Sequence, residues 1–355
     1  MTSRNLMILV MASLLFHPTL EGAQVDSPVL GYVFDAGVSG LRPIWGVLGS
    51  SRVGVPLDIG GIRMSTATVS PRQDYALGIS EQNSQILLLS LEQNPTAVTT
   101  LLAPDSAIER VVVSPMGRSV VLVPKSAQSL RVISGLPDSP QIPDPVGLAG
   151  LAGGIGAVAV RDDGRQILLA MQESDGDVLY AADLKGAIHG VARLGRITAM
   201  EYMRQGNDAL LADADASQIL RVRATDLKVE TVAALPRGAE ELRPLALAVS
   251  DDSQRVFVAA EGQGQLYALN LRNSQVDRLP FSGKATGLNR LKGNSVFRLN
   301  EMSDQPLLVL NGDLMEPGIT FVPVPQKGTL PDTGLFLFPR EEPRPVRVRE
   351  RRTSQ

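Results

Sequence analysis

The sequence predicts an all-β chain folded as a seven-bladed β-propeller of four-stranded antiparallel blades. Three observations predict it: a strand–turn–strand unit recurs about every 44 residues, further strands follow each copy, and unmatched strands flank the array. Four strands in roughly 40–45 residues is the period of a propeller blade.

The recurring unit reads TATVSPRQDYALGIS (66–80), RVVVSPMGRSVVLVP (110–124), AVAVRDDGRQILLAM (157–171) and ALAVSDDSQRVFVAA (246–260). Each copy is an apolar strand, a polar turn rich in Asp, Gly, Pro or Ser, and a second strand rich in β-branched residues or Leu. That is the chemistry of chain reversal between antiparallel strands. AMEYMRQGNDALLAD (199–213) and GLNRLKGNSVFRLNE (287–301) fit the same frame more loosely. The first strand ends at Val69, Val113, Val160, Tyr202, Val249 and Arg290, at intervals of 44, 47, 42, 47 and 41 residues. Third strands follow as QILLLSL (85–91), DVLYAADL (177–184), QILRVRA (218–224), QLYALNL (265–271) and PLLVLNG (306–312). VETVAAL (229–235) and GITFVPV (318–324) read as fourth strands.

Six repeats fill 65–324. VLGYVFDAGVSGLRPIWG (29–46) looks like the third and fourth strands of another unit, and TGLFLFP (333–339) is a lone strand after the sixth repeat. If that strand enters the sheet begun by 31–45, both termini close a seventh blade and no half-blade edge stays exposed. Residues 24–339 then supply about 45 per blade, again the blade period. Six blades with an extra N-terminal hairpin is the alternative. Two β-sandwich domains would match the strand spacing but not the recurring four-strand motif.

VSPMGRSVVLV (113–123), VRDDGRQILLA (160–170) and VSDDSQRVFVA (249–259) carry a family resemblance. They resemble the YVTN-type and lactonase-like propellers, and the Tol-system propeller repeats with their S-P-D-G-R turn. The resemblance implies the blade architecture; activity within such families sits in loops carried on the scaffold.

The N-terminus, MTSRNLMILVMASLLFHPTLEGAQ, has the order of a secretory signal peptide: Arg4, an 11-residue apolar run from Leu6 to Phe16, then small residues at Gly22 and Ala23. The run is too short to span about 30 Å of hydrocarbon as a helix. The expected organisation is a leader over 1–23, the propeller over 24–339 and a basic tail over 340–355. The alternative for the leader is a buried first strand or helix. Export to a periplasm or beyond follows from the first reading.

Composition excludes several chemistries. With no Cys there are no disulfides, thiolate nucleophiles, Cys-ligated zinc, iron–sulfur clusters or Cys-linked lipid. Of two His, His17 lies in the leader, so His189 alone cannot build a His₃ zinc site. No G-x-S-x-G accompanies it. GLAGLAGGIG (147–156) lacks the Lys-Ser/Thr ending of a phosphate-binding loop. A net charge of −3 argues against nucleic acid as a partner. Trp45 is the lone Trp and is expected between blades.

Two charged features remain. The loop between second and third strands carries Glu81, Lys125, Glu173, Asp213 or Asp215, Glu261 and Glu301 at nearly equal distances from the strand anchors, with Asp175, Asp177 and Asp304 close by. These loops emerge on one face, so the expectation is a ring of negative potential facing calcium, another divalent cation or a cationic partner. The alternative is that the acids are solvated or tie one blade to the next. The tail holds Arg340, Arg344, Arg347, Arg349, Arg351 and Arg352 with three Glu, a charge of +3 that leaves −6 on 24–339. Proline and like charge keep such a tail extended. It reads as a tether to anionic envelope polymers or an acidic partner, or else as a solubilising segment.

The function expected is an exported, monomeric, non-catalytic binding or scaffolding module of the cell envelope. It would use no cofactor and bind a protein or envelope polymer. The alternative is a lactonase-like hydrolase working at the carboxylate-lined channel mouth with a divalent cation.

Overall fold

Each repeat folds as an antiparallel sheet whose second strand is the most apolar, because it is packed on both faces by neighbouring blades. YALGIS, SVVLVP and ALLAD are buried along their whole lengths, whereas the fourth strand AVTTLL is exposed at Ala97, Thr99 and Thr100 and buried at no position. The computed structural model describes residues 28–325 except 94, 127, 237–242, 263 and 314. Within them the chain is a seven-bladed β-propeller, all-β and without helix.

The first blade comprises β1 (Val29–Asp35), β2 (Gly40–Val47) and β3 (Ser50–Val53). The second holds β4 (Met64–Val69), β5 (Tyr75–Ser80), β6 (Ile86–Ser90) and β7 (Ala97–Leu102). The third holds β8 (Ile108–Val113), β9 (Ser119–Pro124), β10 (Ser129–Ser134) and the short β11 (Val146–Gly147). The fourth runs through β12 (Gly154–Val160), β13 (Gln166–Glu173), β14 (Gly176–Asp183) and β15 (Ile188–Leu194). The fifth follows with β16 (Ile197–Tyr202), β17 (Ala209–Asp213), β18 (Gln218–Val222) and β19 (Val229–Ala234). The sixth has β20 (Pro244–Val249), β21 (Arg255–Ala260), β22 (Leu266–Asn270) and β23 (Val276–Arg278). The seventh has β24 (Asn289–Arg290), β25 (Val296–Arg298), β26 (Leu307–Asn311) and β27 (Gly318–Val322). All six anchors read from the repeat are the final residues of first strands.

The turns between first and second strands explain the Ser/Asp/Gly pattern. In the second blade Ser70 N–H donates to the Tyr75 carbonyl and Gln73 N–H to the Ser70 carbonyl, and Gln73 has φ 60°. Gly117 and Gly164 take the same left-handed position at φ 72° and 70°, where glycine has no Cβ penalty.

Apolar clusters sit between blades rather than within them. Tyr75, Leu77 and Ile79 pack on Val120 and Leu122 of the next blade. Leu30, Val33 and Ile44 of the first blade meet Val296, Val309 and Val322 of the seventh, closing the ring. Each such side chain contributes about 1.5–3 kcal/mol of burial.

The first blade departs from expectation. It has three strands among the described residues, and they occupy the second, third and fourth places, not the last two. β3 is outermost, since Val53 N–H donates to the Pro323 carbonyl just after β27, at 3.4 Å. Residues 29–46 were legible as a hairpin, but SSRV at 50–53 is too short and polar to stand out as a strand. The expected closing strand at 333–339, the leader at 1–23 and the tail at 340–355 lie outside the described residues. By internal contacts the chain divides into Met1–Val324 and Pro325–Gln355.

Candidate functional site

The loops between second and third strands gather at one end of the channel, and most of the acids there, Glu261 and Asp304 apart, are held by partners of their own. Glu81 accepts from Arg63 Nε at 2.9 Å and from Ser39 Oγ at 2.5 Å. The Ser39 hydroxyl, and then Arg63, hold its carboxyl below the usual range. Arg193 forks between Glu173 Oε2 at 2.8 Å and Asp175 Oδ1 at 2.6 Å. Glu301 takes Arg298 Nη1 at 2.8 Å. Glu261 is exposed, and its N–H donates to the Arg243 carbonyl at 2.9 Å. Asp304 is also exposed. Lys125 sits at the equivalent place in the third blade, its N–H on the Ala107 carbonyl at 2.9 Å.

Asp177, Asp213 and Asp215 do a different job. The crossover from the fourth blade to the fifth presents three consecutive backbone N–H groups, and each meets one of these carboxylates. Gly195 donates to Asp213 Oδ2 at 3.3 Å, Arg196 to Asp215 Oδ2 at 2.9 Å and Ile197 to Asp177 Oδ2 at 2.8 Å. Asp177 is fully buried, and desolvation raises its pKa against the Ile197 N–H and Arg196. The Ile197 N–H is buried and needs an acceptor, which Asp177 supplies. Among the described residues no three His, Cys, Asp or Glu side chains gather as ligands for one metal ion.

His189, which the sequence suits to an exposed loop between third and fourth strands, and Trp45, expected between blades, are both placed on strands. His189 is on β15 rather than in a loop, exposed opposite Ala181. Trp45 is half-buried on β2, its indole against Gly54 in its own blade, where no Cβ would fit.

The densest charged constellation lies at the opposite end of the channel, on first strands and their turns. Glu201 of β16 accepts the Val249 N–H at 3.1 Å. Arg290 of β24 donates to the Val249 carbonyl and to Asp251, and stacks over the Phe297 ring at 4.7 Å. Arg204 pairs with Asp251 at 2.9 Å and donates across to the Pro115 carbonyl, two blades away, at 3.1 Å. Asp162 accepts the Met116 N–H at 2.8 Å. Five blades are thus knitted across the channel. Desolvation dominates here: it lowers the pKa of Arg290 and raises that of Glu201 to about 7, against the pull of both arginines. Sequence reasoning missed this group. One signal was available, because the column holding Glu201 carries Thr68, Val112, Ala159, Ala248 and Asn289 in the other blades.

Two clefts open on this end. One of about 330 Å³ lies between the first and seventh blades, lined by Val29, Leu30, Val47, Leu48, Lys292 and Asp313 among others. A smaller one of about 180 Å³ lies between the fourth and fifth, beside Arg161, Asp163 and Tyr202.

No family model matches the chain, and no curated protein does. Solved structures do match it as a fold. A protein from Lactobacillus plantarum aligns with TM-score 0.59 at 13% identity, covering 84% of this chain and 97% of that one. A functionally unknown protein from Desulfotomaculum acetoxidans gives 0.58 at 12%, covering 84% and 100%. A putative 6-phosphogluconolactonase from Bacteroides uniformis gives 0.56 at 14%, covering 83% and 96%. The chain is similar to these as a β-propeller, and identities this low speak to the fold alone.

Proposed function

We propose that the chain is an exported, non-catalytic propeller that serves as a binding or scaffolding module of the cell envelope. The observation that carries this reading is how the charged groups at both channel ends are used. Carboxylates at one end accept from arginines, Ser39 or backbone N–H groups, and the carboxylates and arginines at the other bond one another across blades. A lactonase-like site needs acids converging on one point at a channel mouth, whereas Glu81, Glu173 and Glu301 each turn to an arginine near their own blade and Asp177, Asp213 and Asp215 cap backbone N–H groups. Binding then falls to the outer surfaces and to the tail, whose +3 opposes the −6 of 24–339. The YVTN-type relationship remains part of this reading, as the family whose turns the repeats resemble.

Full-length protein and a chain ending at Pro339 are to be expressed with the leader and fractionated at low and high salt. The expected result is envelope association that high salt or loss of the tail weakens. Association indifferent to both, or turnover of simple lactones by the purified chain, would overturn the proposal.

A further inference from the structure

The cleft of about 330 Å³ lies where the seventh blade meets the first, and its walls are mostly apolar. Buried Leu30 of β1 and Val296 of β25 form the floor, with exposed Val47 of β2 and the following Leu48 beside them. Two charged residues stand against these walls. Lys292 is on the channel side, in the turn between β24 and β25, and Asp313 is on the outer side, two residues past β26. Both are exposed, and among the described residues both hydrogen-bond only through the main chain. Lys292 N–H donates to the Leu30 carbonyl at 2.8 Å, and Asp313 N–H donates to Asn311 Oδ1 at 3.2 Å. Lys292 differs in this from its counterparts. Asp162, Arg204 and Asp251 hold the same place after the first strands of their blades, and each is bonded to a neighbouring blade.

We propose that this cleft binds a short zwitterion with an apolar body: a dipeptide with apolar side chains and both ends free. Its carboxylate pairs with Lys292, its ammonium with Asp313, and its side chains lie on Leu30, Val47, Leu48 and Val296. The spacing of the two charged residues supports this ligand. Gly312 N–H donates to the Ser295 carbonyl at 2.8 Å, which ties the end of β26 to the turn that carries Lys292. One to two strand spacings then separate Lys292 from Asp313, roughly 5–10 Å at the backbone. Two extended residues span roughly 7 Å, within that gap. The volume sits at the small end of the range for ligand pockets, where apolar walls supply contact and a few polar groups fix orientation. Opposite charges at the two sides set the direction of the ligand and disfavour a peptide blocked at either end. This inference goes beyond the envelope role proposed above and does not depend on it.

The test is calorimetric titration of the full chain with the dipeptide Leu-Leu, its N-acetyl form and its C-terminal amide. A dissociation constant on the order of 1 mM or tighter is expected for Leu-Leu. Blocking either end should weaken binding about 10-fold, since each block removes one charge-assisted contact. Lys292→Met and Asp313→Asn assign the two contacts. Each should weaken Leu-Leu by about the same factor as the matching block. The amide should bind wild type and Lys292→Met equally, and the N-acetyl form should bind wild type and Asp313→Asn equally. Both side chains are exposed, so the melting temperatures of the variants should match that of the wild type. Absence of Leu-Leu binding at millimolar concentration, equal binding of all three ligands, or variants that do not discriminate between the two blocked forms would overturn the proposal.

Discussion

Gln73 and Arg290, 217 residues apart in sequence, are joined where the ring of blades meets its own beginning: Gln73 Nε2 donates to the Arg290 carbonyl at 2.7 Å. The same amide accepts the Tyr32 N–H and donates to the Ser70 carbonyl at 3.1 Å. In every other blade a turn between first and second strands lies in this position. The first blade lacks one among the described residues, and a single buried side chain stands in for it.

Replacing Gln73 with Ala leaves the Tyr32 N–H and the Arg290 carbonyl without partners. A loss of about 1–3 kcal/mol in urea unfolding is expected, the range for orphaned buried groups. The outer turn change Ser274→Ala provides the comparison and should stay within about 0.5 kcal/mol.

Glu201 gives the molecule a pH dependence of definite sign. Burial raises its folded-state pKa from 4.5 to about 7. A raised acid favours the fold while protonated, so its contribution is complete below about 4.5 and is lost as pH climbs through 7. Glu201→Gln keeps the neutral form at every pH. The variant should therefore gain on the wild type, by on the order of 2 kcal/mol, between pH 5 and pH 8. Parallel stability curves for the two proteins would remove Glu201 from this role.

Asp177→Ala should cost about 1–3 kcal/mol, because the Ile197 N–H is buried and loses its acceptor. Asp177→Asn retains an acceptor oxygen and should cost less than half as much. Chemical denaturation of the three proteins side by side measures both effects.

These relationships show which features a period can reveal. Val69, Val113, Val160, Tyr202, Val249 and Arg290 mark strand ends because each blade repeats the same burial at the same place, and that repetition is visible in one sequence. The acids after the second strands were visible for the same reason. Their use was not, since Arg63, Arg193 and Arg196 are ordinary crossover or outer-strand residues until the blades are assembled. Gln73 and Arg204 were hidden more deeply: each departs from its repeat unit and acts across a gap that only ring closure creates.

On the function proposed, the acids between second and third strands serve the scaffold, and calcium leaves the fold's stability unchanged. Melting temperature as a function of calcium tests it most directly, using the full chain and the variant Glu81→Gln, Glu173→Gln, Glu261→Gln, Glu301→Gln. No shift is expected for either protein at millimolar calcium, and the variant should melt lower because pairs such as Arg63–Glu81 and Arg193–Glu173 are lost. A stabilisation of several degrees by calcium in the wild type, abolished in the variant, would contradict it.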